Sequence, residues 1–420
     1  MKETLPERLK VAKSERASVA VRTAKQSNVR ILGWTAFWSG MSQEMVYPLL
    51  PIFLVVALGS SKTALGVVEG LLGVGVTLAR YLSGRAVDRG RSPLRLTRFS
   101  YAVSLIARPL IAAAPSVVAV GILRVADGLG KGGKDAPRDV LVAADADDEA
   151  MGRSFGLQVM LDTLGSVAGP LAAAGILFVV GQSAGGLRLA FALASLPAFG
   201  AIYQLRRAHD VAPRGKHVNV SIRSLPRPFF ILLIAVTLFG TANSSDTLLL
   251  LRAHGAGLNA AYLAVLFAGF NLVYALLAVP AGALSDRIGR RPLLIAAWIA
   301  YAATYAGFAF ASQAWQLVAL FLGYGVYYAI AQGTIKAWVV GLVPEERRGT
   351  AFGLIAAASG LLLLPASVIA GALWDTYGPK PAFLLGSVAA LAALAVVILS
   401  PSLRRQIETA SQSVDSTSSA

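Results

Sequence analysis

The chain has no cysteine in its 420 residues, which excludes disulfides and thiolate metal sites. Histidine is nearly as scarce. His209, His217 and His254 are scattered along the chain, so no zinc cluster is expected. Charge is also in short supply: 14% of the residues are Asp, Glu, Lys or Arg, against about 25% in ordinary soluble domains. With 56% hydrophobic residues and a mean hydropathy of +0.64, the deficit implies that hydrocarbon surrounds most of the protein. Acids are outnumbered by bases, 22 to 38, a formal charge of +16. Such a balance can signal nucleic acid, but its placement argues otherwise. The bases gather in the N-terminal tail (Lys2, Arg8, Lys10, Lys13, Arg16) and in alternate short loops. That is the pattern by which Lys and Arg mark cytoplasmic loops.

Apolar segments long enough to cross about 30 Å of hydrocarbon begin near Ile31, Thr63, Leu96, Ser116, Ser154 and Leu187. After a polar stretch they resume near Phe229, Leu258, Leu293, Trp315, Ala351 and Pro381. The expected architecture is all-α, with twelve membrane helices and both chain ends in the cytoplasm. The divisions expected are a basic tail over 1–29, a six-helix bundle over 30–205, a cytoplasmic linker over 206–227, a second bundle over 228–402 and a disordered tail over 403–420. The first thirty or so residues are too polar and too mixed for a signal peptide.

The two halves repeat each other. "SGRAVDRGRSPL" from Ser83 resembles "AGALSDRIGRRPL" from Ala281, and "GRSFGL" from Gly152 resembles "GTAFGL" from Gly349. Asp88 and Asp286 stand 198 positions apart, and Gly152 and Gly349 stand 197 apart. Two matches at nearly one offset indicate an internal duplication, as in many secondary transporters.

The fourth apolar segment carries "RVADGLGKGGKDAPRDVL" from Arg124. At about 100° per residue, Arg124, Asp127, Lys131, Lys134, Asp135 and Arg138 share one helix face, with Asp139 to its side. Ionisable groups inside a bilayer are costly unless they face water or a partner, so this stripe reads as the wall of a polar cavity. Pro137, preceded by Gly128, Gly130, Gly132 and Gly133, predicts a distorted or broken helix whose freed N–H groups would suit an anion. "GLGKGGKD" also fits the spacing of a phosphate loop, but it ends in Asp135 where a hydroxyl should hold magnesium, and no strand precedes it.

Several of these stretches resemble motifs of the major facilitator superfamily. Gly282, Asp286, Arg287, Gly289, Arg290 and Arg291 match its loop motif Gly-x-x-x-Asp-Arg-x-Gly-Arg-Arg. Gly84, Asp88 and Arg89 form a first-half copy that is one residue shorter. Arg124 to Gly130 is similar to its fourth-helix motif, with Asp127 standing where Gln is usual. Gly165, Gly169 and Pro170 in "GSVAGPLAAAG" resemble the fifth-helix motif of drug–proton antiporters, with Ala173 and Ala174 in place of its last glycines. The resemblance implies two six-helix bundles around a central cavity and alternating-access transport without chemistry on the cargo. It implies gating roles for Gly84, Asp88, Arg89, Gly282, Asp286, Arg287, Gly165, Gly169 and Pro170. The fourth-helix resemblance implies a proton-coupling role for Arg124 and Asp127. Glu44, a lone acid near the middle of the first helix, is expected to be the main proton carrier on its own chemistry, because an acid in that position is desolvated.

Substrate contacts are expected from Lys131, Lys134, Arg138, Asp246, Tyr327, Tyr328, Gln332 and Lys336, on helices that line the central path in that superfamily. Lys336 follows Arg138 by 198 positions, so each half offers a base. Glu69, Arg80, Arg108 and Asp162 read as packing or gating pairs. The expectation is a monomeric, proton-coupled exporter of a small polar molecule, anionic or zwitterionic, in the plasma membrane. Uptake of a nutrient or metal chelate is the alternative, and a membrane enzyme or receptor a distant third. Protons, the substrate and the lipid bilayer are the expected partners; no cofactor, resident metal, catalytic residue or nucleic acid is expected.

Overall fold

The structure is a computed structural model and describes residues 28–145, 151–210, 222–344 and 347–401. The two tails and the middle of the linker lie outside the described residues. Within them the chain forms twelve long helices and no strand. The first half comprises α1 (Asn28–Ala57), α2 (Lys62–Asp88), α3 (Pro93–Ala113), α4 (Val117–Asp145), α5 (Met151–Val180) and α6 (Ala184–Leu205). The second comprises α7 (Arg227–Gly255), α8 (Ala260–Ile288), α9 (Arg290–Phe310), α10 (Ala314–Leu342), α11 (Arg348–Tyr377) and α12 (Pro379–Leu399).

Even a 21-residue helix such as α3 is about 30 Å long, the thickness of the hydrocarbon core. Ten of the helices are apolar enough to cross a membrane on composition. The two that are not, α3 and α4, carry most of the charges that the first half buries: Arg108 on α3 and Arg124, Asp127 and Lys134 on α4. Large apolar side chains such as Phe99, Ile122, Val179 and Val279 are exposed around the bundle, a surface suited to lipid.

Local chemistry sets the helix ends. Ser61, Ser92 and Asn259 cap α2, α3 and α8 by accepting backbone N–H groups. Gly289 and Gly378, at φ of +89° and +84°, turn the chain between α8 and α9 and between α11 and α12, a conformation that only glycine adopts at little cost. Bases meet the carbonyls left over at helix C-termini. Arg98 donates to Leu205 and Arg206 at the end of α6, and Arg291 donates to Val397 and Ile398 at the end of α12. Some loop bases therefore close helices as well as marking a membrane side.

The linker between α6 and α7 defines a linker face, which also holds the α2–α3, α4–α5, α8–α9 and α10–α11 connections. The opposite, distal face holds the others. Two helices are interrupted at equivalent depths. In α1, Pro48 and Pro51 remove backbone donors, and the helix tightens to a 3-10 turn over Tyr47–Leu49, then widens to a π-helix over Phe53–Ala57. In α7 the helix stops at Ala242 and resumes at Asp246. Ser245 is 198 positions from Tyr47, so the duplication extends to the location of the interruption.

The expected break in α4 is absent. The helix runs from Val117 to Asp145 with Pro137 inside it. The glycines explain why. A side chain at Gly128 would collide with the Leu72 carbonyl oxygen, one at Gly132 with that of Val76, and one at Gly130 with Ser100 and Ser104. Helix α4 is thus wedged, backbone against backbone, between α2 and α3. Residue 133, whose carbonyl lies four positions before Pro137, is also glycine. Pro137 withdraws one backbone donor, and close packing on α2 and α3 keeps the helix continuous across it, so the expected cluster of freed N–H groups does not form.

Candidate functional site

The charged stripe of α4 divides along its length. At its distal end Arg124 donates to Glu69 of α2 at 2.7 Å and to Asp127 at 3.2 Å. Asp127 also accepts from Arg108 of α3 at 2.9 Å, and Arg108 reaches the Ser39 carbonyl of α1 at 3.2 Å. All four charged side chains are about 2% exposed or less. Two acids and two bases thus tie four helices together with no net charge, the arrangement that makes buried ions tolerable. Glu69 and Arg108 act as the packing pairs expected of them, and Arg124 and Asp127 lie in the same network.

The next turns of α4 are also occupied. The buried Lys134 ammonium donates to the Ser39 hydroxyl at 3.1 Å and sits 4.7 Å from the centre of the Tyr101 ring. Asp135 pairs with Arg80 of α2 and stands 3.8 Å from Arg138. Arg138 also approaches Asp139 at 3.5 Å. With the Gln158 amide turned so that its oxygen faces the guanidinium, Arg138 donates to it at 2.8 and 3.1 Å.

Three groups stand apart from these pairs. Glu44 accepts from Gln43 at 2.7 Å through one carboxylate oxygen, and its other oxygen is buried without a hydrogen bond. The charges acting on it most strongly are Lys131 of α4, then Asp162 of α5 and Arg108. Among the described residues, neither Lys131 nor Asp162 belongs to a salt bridge within 4.0 Å. Asp162 is exposed and lies beside Gly40, one turn before Glu44, where a methyl group would come within 3.1 Å of its carboxylate. Glu44, Lys131 and Asp162 therefore form a mixed-charge group contributed by α1, α4 and α5.

The second half answers with aromatic rings rather than ions. Tyr324 of α10 donates to Asp246 at 2.8 Å, at the residue where α7 resumes. Its ring stacks near those of Phe270, Tyr301, Tyr305 and Tyr327. Tyr327 is 4% exposed and points into this stack. Tyr328 is half-buried against Phe270 and Tyr274 of α8, and Gln332 and Lys336 follow it on the same helix face, both exposed. Sequence reasoning missed Tyr324; its four-residue spacing from Tyr328 and eight-residue spacing from Gln332 was the available signal.

The motif glycines differ among themselves. Side chains at Gly165 and Gly169 would collide with the carbonyl oxygens of Phe37 and Met41, so α5 lies directly on α1, with Pro170 inside α5. The loop-motif glycines Gly84 and Gly282, for which the resemblance implies gating roles, are not in such tight contact in this structure. A methyl at Gly84 would make only ordinary contact with Ala136 at 3.7 Å, and one at Gly282 would meet nothing within 4 Å. Asp88 ends α2, Arg89 caps it, and Arg287 is exposed near the end of α8. The Asp286 side chain lies outside the described residues.

The halves meet along seams on the distal side. Gly66, Gly70 and Gly73 of α2 receive Ser367, Leu364 and Leu363 of α11, and Gly371 receives Lys62. Between α5 and α8, Phe178 meets Tyr262 edge to face at 5.7 Å, and Asn271 donates to the Ser166 carbonyl at 3.0 Å. Tyr47, at the interruption of α1, packs on Phe267 of α8 and contacts Ser245 at the interruption of α7. These contacts run from the distal loops to the middle of the bundle, so the structure is closed on its distal face.

Two repeated six-helix halves, sealed at one face around a polar centre, define a membrane transporter. The sequence profile of the Major Facilitator Superfamily matches residues 32–256 and 229–416, and the chain belongs to that family. An uncharacterised MFS-type transporter of Methanocaldococcus jannaschii is 30% identical over 370 residues, 87% of this chain and 92% of its own length. A multi-drug resistance efflux pump of Streptococcus pneumoniae is 32% identical over 117 residues, 28% of this chain and 29% of its own length. A solved POT family transporter in complex with 5-aminolevulinic acid superposes with a TM-score of 0.75 at 12% identity, covering 89% of this chain and 96% of that one. The fold expected from the sequence is the fold observed.

Proposed function

We propose that the chain exports a small zwitterionic molecule across the plasma membrane in exchange for protons, with the linker face cytoplasmic. The halves over 30–205 and 228–402 rock about the central cavity, which opens alternately to each face. The excess of bases on the linker-face loops supports this orientation. The partial likeness to a multi-drug efflux pump and the Gly165–Gly169–Pro170 motif support export.

The reading rests on Glu44. Among the described residues its free oxygen is the one buried carboxylate oxygen without a hydrogen bond, and it lies under the influence of both a free base and a free acid. A carboxylate that holds a proton cannot also pair with an ammonium group. A zwitterion that sets its anionic end on Lys131 and its ammonium on Glu44 and Asp162 therefore displaces the proton, and a proton displaces the zwitterion. That mutual exclusion is what exchange requires, because the loaded carrier crosses with one or the other. Tyr328, Gln332 and Lys336 supply the facing wall from the second half. The charged quartet of Glu69, Arg108, Arg124 and Asp127 holds α1 and α4 at the spacing this exclusion needs.

The test is proton release. A panel of amino-acid-like zwitterions is added to the purified protein in weakly buffered detergent solution. A binding member should liberate protons from the wild type and none from Glu44→Gln. Equal release from both proteins, at equal binding, would remove Glu44 from the role.

A further inference from the structure

At the distal closure, side chains of one half sit on helix N-termini of the other. Asp375, near the end of α11, accepts the backbone N–H groups of Lys62 at 3.1 Å and Thr63 at 2.8 Å. Those are the first two residues of α2, where four N–H groups lack partners within the helix and the helix dipole favours negative charge. The Thr63 hydroxyl donates to the same carboxylate at 2.7 Å, and the Lys62 ammonium stands 3.4 Å away. Every one of these contacts joins the second half to the first.

The other seam carries a neutral version of the same contact. Gln182, just beyond the end of α5, accepts the N–H of Ala261 at 3.3 Å through its side-chain oxygen. Ala261 is the second residue of α8 and stands 198 positions after Thr63. The duplication thus places a side-chain acceptor from one half on the N-terminus of a helix of the other half, once with charge and once without.

We propose that Asp375 and Gln182 are clasps that hold the distal gate shut, and that Asp375 sets most of the bias toward the distal-closed state. The proposal rests on the rocking of the halves set out above. When the distal face opens, α11 must leave α2, and the carboxylate must exchange two backbone donors, a hydroxyl and an ammonium for water. Among the described residues no other side chain of the seam gives up as many partners: Asn271 and Gln182 each make one hydrogen bond between the halves, and the glycine contacts are packing alone. The interaction is chiefly that of an anion at a helix end. The Lys62 side chain is 33% exposed, and surface ion pairs of this kind contribute little.

The absence of native cysteine makes the test direct. Ser116 and Ser312 are exposed on distal loops of the first and second half. Spin labels on Ser116→Cys and Ser312→Cys report the distal opening by their separation in lipid nanodiscs, with no substrate needed. Asp375→Asn should raise the ratio of long to short separations roughly tenfold, the size expected for one lost charge-assisted hydrogen bond. Thr63→Val and Gln182→Ala should act in the same direction and less strongly, and Lys62→Gln should leave the distribution almost unchanged. Gly371→Leu, which forces the seam apart sterically, is the control for rocking. If Gly371→Leu lengthens the separation and Asp375→Asn does not, the clasp is wrong and rocking stands. If neither moves it, rocking itself fails and the clasp with it. An opening produced by Lys62→Gln as large as that from Asp375→Asn would replace the helix-end clasp by an ordinary ion pair.

Discussion

Glu69 of α2 and Arg124 of α4 meet at 2.7 Å with each side chain 2% exposed, deep in the first half. Truncating one member of such a pair strands the other, at a cost of about 3–5 kcal/mol. Glu69→Gln should therefore lower the melting temperature in detergent sharply. The double variant Glu69→Gln with Arg124→Gln leaves Asp127 paired with Arg108, a balanced couple, and should recover part of the loss. Strictly additive losses in the two single variants would show that these charges act independently.

Lys131 and Arg138 look equivalent on a helical projection and should behave differently. Arg138 is engaged by Asp135, Asp139 and Gln158 within its own half, whereas Lys131 enters no salt bridge among the described residues and acts on Glu44. Arg138→Gln is expected to lower the melting temperature while preserving the proposed export. Lys131→Gln is expected to keep stability and abolish the proposed export. Untargeted metabolite comparison of cells carrying each variant at equal membrane abundance separates the two. A metabolite difference that survives Lys131→Gln would remove Lys131 from the site.

The contrast between these two residues shows where the sequence stops being informative. Span lengths, the duplication and the loop motifs are local in sequence, and from them the twelve helices and the family could be read. The angular spacing of Arg124 through Arg138 is local too, and it correctly placed them on one face. Which part of that face meets another helix is decided by residues far away, Glu69 and Arg80 on α2 and Arg108 on α3. No periodicity records such pairings. The glycines of α4 are a related case. They weaken an isolated helix, and only the carbonyls of Leu72 and Val76 show that they exist for close approach. Asp375 and Gln182 escaped notice because each acts on backbone groups, Asp375 on those of residues more than 300 positions away and Gln182 on that of Ala261.

At the interruption of α7, Tyr324 supplies the hydrogen bond that Asp246 accepts at 2.8 Å. A hydrogen bond to a charged group contributes about 1.5–3 kcal/mol. Tyr324→Phe should cost roughly that amount in the wild type and much less when Asp246 is already Asn. Thermal unfolding of the four proteins of this cycle measures the coupling. A coupling near zero would mean that the hydroxyl bonds elsewhere in solution.

Gly165 and Gly282 both belong to superfamily motifs, yet the structure gives them different surroundings. A methyl at Gly165 would strike the Phe37 carbonyl oxygen, which is backbone and cannot turn aside. Helices α1 and α5 would have to separate, an overpacking cost of about 1–3 kcal/mol, and Glu44 would shift relative to Asp162. Gly165→Ala should therefore lose both stability and export. Gly282 has open space around it, and replacing an unconstrained helical glycine by alanine gains about 0.5–1 kcal/mol. Gly282→Ala should then melt slightly higher than the wild type. The gating role proposed for its motif would be exercised in the opposite state of the proposed rocking, in which the linker face closes and α8 approaches the first half. If the halves rock, the added methyl obstructs that closure, so Gly282→Ala should be more stable and export more slowly. Melting temperature and export rate measured on one set of preparations decide the matter. A variant that is both more stable and fully active would show that Gly282 needs no close approach in either state.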